Sequence, residues 1–152
     1  MRARTVLLGL GLLGLGLGAV ALGAQSRGRP GWLRRLPSPA PHILAFELGG
    51  HVGRPEIRRM AETVLAAFDR FESVDMLVVL PEFTGLTPAA ALDLEGLKAG
   101  FRSLGKVRRY AVVEPPKIAA LMIETSDWFM PVQARTFPLT QRDAAEAWVA
   151  RR

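Results

Sequence analysis

The chain has 152 residues, 49% of them hydrophobic, which is room for one domain with its own core plus a short extension. Its formal charge of +6 comes from the front, because Arg2, Arg4, Arg27, Arg29, Arg34 and Arg35 all precede Leu36, and from Leu36 onward 14 basic residues face 14 acidic ones. A nucleic-acid binder carries its excess positive charge on the folded surface, so no nucleic-acid partner is expected, and the absence of cysteine removes disulfides, thiol catalysis and zinc–thiolate sites.

The first element is an uncharged run, Thr5 to Ala24, rich in leucine and glycine and preceded by two arginines. About 20 apolar residues in a helix match the ~30 Å hydrocarbon core of a bilayer. Residues 1–25 are therefore expected to be an N-terminal apolar helix that partners the membrane through residues 5–24. Gly14 and Gly18 stand at the spacing that lets membrane helices approach closely, a match that also arises readily in any glycine-rich run. Arg27, Arg29, Arg34 and Arg35 follow at once and favour a retained anchor with a cytoplasmic domain. Small residues around Ala19-Val20-Ala21 leave a second reading, export after signal cleavage. Residues 26–41 are Pro/Arg-rich and without periodicity, which is read as a semi-rigid linker. Trp32 is placed there as a residue that can rest at the membrane interface.

Residues 42–152 are the domain. His42 to Leu48 is a short apolar run ending at Gly49-Gly50, a predicted strand. Pro55 opens a helix whose stripe is Ile57, Met60, Ala61, Val64, Leu65, Phe68 and Phe71. Val74 to Leu80 is a continuous apolar run, as for a strand buried on both faces. Pro81 to Leu86 reads as a loop, and Thr87-Pro88 as the cap and first turn of a second helix. That helix carries Ala90, Leu94, Leu97, Phe101 and Leu104 inward and stops at Gly105. Val107 to Val113 is a third strand. Pro115-Pro116 opens a shorter helix with Ile118, Leu121 and Met122 on one side. Gln133 to Phe137 is a fourth strand, and Thr140 with Asp143 starts a last helix that turns Ala144, Ala145 and Trp148 inward. Strands alternating with helices imply an α/β fold with a largely parallel sheet of four or five strands, four helices and right-handed crossovers.

The chemistry-bearing residues are sparse. His42 and His51 have no second metal ligand at helical spacing. No Gly-x-Ser-x-Gly occurs, and Leu48 to Gly53 lacks the full glycine fingerprint of a phosphate loop. Glu82 lies beyond the second strand's carboxyl end, where open α/β sheets bind ligands, and also reads as a solvated loop carboxylate. Met122, Trp128, Phe129 and Met130 lie in a stretch that suits either an apolar ligand or partner surface, or core. No catalytic residue, metal or cofactor is expected, and the chain is not read as an enzyme.

Several short stretches fall in a familiar order. They are Gly50-His51-Val52 before a helix, Phe83 to Pro88 leading into Asp93-Leu94, Arg109 to Val113, and Arg135-Thr136-Phe137 followed by Ala144 to Trp148. Together, over about His42 to Arg151, the chain resembles the SpoIIAA-like family of small bacterial proteins, which have STAS/SEC14-type domains. The resemblance implies a STAS-like fold and a regulatory, protein-interaction or apolar-ligand-binding role rather than catalysis. It also implies possible phosphoacceptors at Thr84 and Thr87, the counterparts of a serine phosphorylated at a helix start in related anti-sigma-factor antagonists. Gly53-Arg54 and Leu86 depart from the family pattern, and the N-terminal apolar segment is atypical of it. The partner is thus an unknown protein or an apolar ligand such as a lipid.

Overall fold

The computed structural model describes residues 28–117 and 133–151, apart from the side chains of residues 101–103. The expected apolar N-terminal helix and the expected helix after Pro115-Pro116 lie outside the described residues. Among the described residues, no helix is long and apolar enough to cross a membrane.

Among the described residues, five strands and three α-helices follow one another: β1 (Trp32–Leu36), β2 (Ile43–Val52), α1 (Arg54–Phe68), β3 (Val74–Leu86), α2 (Pro88–Leu104), β4 (Val107–Val113), β5 (Gln133–Phe137) and, after a 3-10 turn at Leu139–Gln141, α3 (Arg142–Val149). The strands lie side by side in chain order. β1 is antiparallel to β2, and β2 through β5 are parallel, as alternation with helices requires.

Residue spacing decides which face each side chain joins. Leu44, Phe46 and Leu48 of β2 and Met76 and Val78 of β3 pack against Ile57, Met60, Val64 and Phe68 of α1 and Ala90 of α2. The alternate residues, Ile43 and Ala45 with Leu77 and Val79, pack with Phe137 and with Ala145 and Val149 of α3. Both faces of the central strands are therefore covered, which explains their near-continuous apolar runs.

Several expectations are corrected. The stretch read as a linker contains β1, whose Trp32 pairs in register with Gly49 and whose Leu36 pairs with Ala45. The first predicted strand does not end at Gly49-Gly50 but runs to Val52. A β-carbon on Gly49 would lie 2.4 Å from the Trp32 ring, and Gly50 takes φ +67 with the Pro30 carbonyl 2.3 Å from where its β-carbon would be. Glycine here admits a neighbouring strand instead of ending one. Likewise Pro81 to Leu86 is the second half of β3 and not a loop, and it pairs with Gly49–Val52. Pro81 falls where the register shifts between Val79 and Glu82, the bulge position at which a residue without N–H is tolerated.

On the helices, Leu65 (47% exposed) and Leu104 (52%) face out. In α3 the inward residues are Ala145 and Val149 with Trp148 half-buried, while Ala144 is exposed. The Thr140–Asp143 cap is absent, because Leu139–Gln141 forms the 3-10 turn and Gln141 precedes the helix without a side-chain cap. Gly105, at φ +61, does end α2.

Among the described residues, one non-glycine adopts left-handed backbone, Glu114 at φ 58 directly after β4. Its N–H donates to the Phe137 carbonyl at 2.8 Å, and its Oε2 accepts from the Leu139 N–H at 2.8 Å.

Candidate functional site

In open α/β sheets ligands collect at the carboxyl ends of parallel strands, in the crevice where strand order reverses. Here β2 to β5 run in sequential order, so these strands have no reversal and no such crevice. What stands at that end is built from the last residues of β2 and β3 and the first turns of α1 and α2.

His51 is paired with Gly85, and its N–H donates to the Arg29 carbonyl at 2.9 Å. Its Nδ1 is buried without a protein partner. Glu82 is exposed and meets Arg29 at 3.2 Å. Thr84 is exposed in the second half of β3. The Thr87 hydroxyl accepts from the Ala90 N–H at 3.1 Å, so it caps α2. The two candidate phosphoacceptors thus differ. Thr84 is presented to solvent, while Thr87 is engaged in the fold.

The starts of α1 and α2 are tied together by Arg54, whose guanidinium binds both oxygens of Asp93 at 2.9 and 3.0 Å. Arg58 adds a contact at 3.7 Å. The hydrogen bond from Arg54 holds the Asp93 carboxyl below the usual carboxylate range. Asp93 in return raises the Arg54 guanidinium. Gly53 donates its N–H to Glu56 Oε2 at 3.0 Å, which supplies half of a capping box to α1.

Between α2 and the sheet lies a cleft of about 80 Å³, lined by Leu48, Met60, Phe83, Leu94, Tyr110 and Pro116 among others. Burial of the Tyr110 phenol pushes it up to about 12. Met122, Trp128, Phe129 and Met130, the candidate ligand surface, lie outside the described residues.

Sequence reasoning missed the buried charges. Asp75 of β3 has 1% of its side chain exposed and is gripped by Arg108 at 3.1 and 2.5 Å, with His42 Nε2 at 3.8 Å. Asp75 in return raises the Arg108 guanidinium, chiefly through the hydrogen bond. Glu47 of β2, 7% exposed, is held by Arg34 and approached by Arg142 at 3.8 Å. A lone carboxylate inside an otherwise apolar strand was the available signal, since such a group is retained only with a partner. Each of these buried carboxylates is neutralised by arginine from a neighbouring strand or helix, an arrangement that serves packing. Among the described residues no group of three metal-binding side chains comes together.

Comparison with known proteins agrees with this architecture. The model of the SpoIIAA-like family matches residues 43–150. A crystal structure of an uncharacterized protein of the DUF3478 family from Shewanella loihica PV-4, described as having a SpoIIAA-like fold, superposes with a TM-score of 0.61 at 19% identity. The superposition covers 80% of this chain and 94% of that one. No curated protein matches.

Proposed function

Because this chain belongs to the SpoIIAA-like family, we propose that it is a non-catalytic regulatory or protein-interaction module of STAS type, tethered to a membrane through residues 5–24. The family match over residues 43–150 carries the reading. The geometry supports it in two ways. The parallel strands have no order reversal to open a ligand crevice. The buried carboxylates Asp75 and Glu47 are already committed to arginines, so their chemistry is spent on the fold.

The apolar cleft beside α2 favours a second reading, a carrier of a lipid or other apolar ligand. Its size, taken over the described residues, favours the first reading. At about 80 Å³ it is well below the ~300–1,000 Å³ that small-molecule sites occupy. Crosslinking in intact membranes is expected to join the chain to one specific protein. Native mass spectrometry of the purified chain should find no bound small molecule. A solitary chain that carries a lipid would reverse the choice, and turnover of a substrate would overturn both readings.

A further inference from the structure

The stretch that follows the apolar segment is fastened to the sheet before β1 even starts. Pro30 bridges His51, the His51 N–H bonds the Arg29 carbonyl at 2.9 Å, and Arg29 meets Glu82 at 3.2 Å. A β-carbon on Gly31 would lie 2.5 Å from the His51 carbonyl oxygen, so the two backbones are in close contact. Only residues 25–27 separate Ala24 from Gly28, the first described residue. Four Cα–Cα steps reach at most ~14 Å even when fully extended.

We infer that the domain sits on its membrane by a short leash in a fixed orientation, with the carboxyl ends of β2 and β3 and the starts of α1 and α2 facing the lipid headgroups. This rests on the membrane reading of residues 5–24. The occupant of this end is the headgroup layer, and the chain length outside the described residues puts it there. Charge plays a minor part. Among the described residues, Arg29, Arg54, Arg58 and Arg59 at this end are paired with Glu82, Asp93 and Glu56, an excess of one positive charge. The leash sets the orientation, and salt does not.

The chain has no cysteine, so single-cysteine probes report cleanly. Thr84 is exposed near the leashed end, and Glu72 is exposed just before the start of β3. The ten residue-to-residue steps from Val74 to Thr84 span ~33 Å of strand, which separates the two probes along the proposed membrane normal. Full-length Thr84→Cys and Glu72→Cys chains, each carrying an environment-sensitive dye, are reconstituted in vesicles of phosphatidylcholine and phosphatidylglycerol with headgroup spin-labelled lipid. Quenching at position 84 should exceed that at position 72 several-fold and should persist in high salt. A long Gly/Ser insertion between Ser26 and Arg27 should abolish the difference. Equal quenching in chains that float with the vesicles overturns the orientation alone, as does a difference that salt removes or that survives the insertion. Chains that do not float overturn the membrane reading and the orientation with it.

Discussion

Asp75 keeps 1% of its side chain exposed, whereas its partner Arg108 keeps 44%. The two halves of this pair are therefore unequal. Arg108→Ala strands a carboxylate in the core, a loss of about 3 kcal/mol. Asp75→Asn leaves Arg108 able to turn into water and should cost about 1 kcal/mol. Urea unfolding of the two variants checks the order, and equal losses would mean that Asp75 is rescued by His42. A second residue-scale test is Gly49→Ala. Its β-carbon would meet the Trp32 ring at 2.4 Å, so Trp32 must leave its seat, with a loss of 1–3 kcal/mol and a red-shifted tryptophan emission. Asp75 carried a signal, as the lone carboxylate of an apolar strand, but its partner did not. The pairing was hidden because Arg108 lies on a different strand, and Gly49 because a glycine pair after an apolar run has the local signature of a strand end.

At the scale of elements, α1 and α2 were legible because a period of 3.6 residues is a local property. The cap at Thr87 was legible for the same reason, and Thr87→Ala should cost about 1 kcal/mol. Gly96 tests the opposite sign. It lies exposed inside α2, and a β-carbon there would meet nothing within 4 Å. Gly96→Ala should therefore stabilise the domain by roughly 0.5–1 kcal/mol, read as a raised Tm. What stayed hidden was pairing over distance. β1 is a polar edge strand with Arg34 and Arg35 in its middle, and nothing local marks it. The second half of β3 carries Pro81 and Gly85, both breakers by local rules, and becomes a strand because β2 continues alongside it. For the candidate site, the sequence put Glu82 and Thr84 in a loop after the strand, whereas both lie inside β3, and it placed Thr87 as the cap of α2, where the structure has it. The ion pairs that join the helix starts needed coordinates.

For the whole molecule, the family model begins at residue 43, yet the sheet begins at Trp32. A chain started at His42 would lose β1, expose β2 as an open edge and deprive Glu47 of Arg34. Exposed, flat, apolar edges pair with other chains. Such a truncation should aggregate on size-exclusion chromatography, while a chain started at Gly28 should elute as a discrete species. An equally well-behaved short chain would show that β1 contributes little to the fold.

The left-handed Glu114 has a wider consequence. It fastens the carboxyl end of β4 to the carboxyl end of β5 and to the turn that leads into α3, so a change at this one residue would loosen the seat of α3 on the sheet as well as the exit from β4.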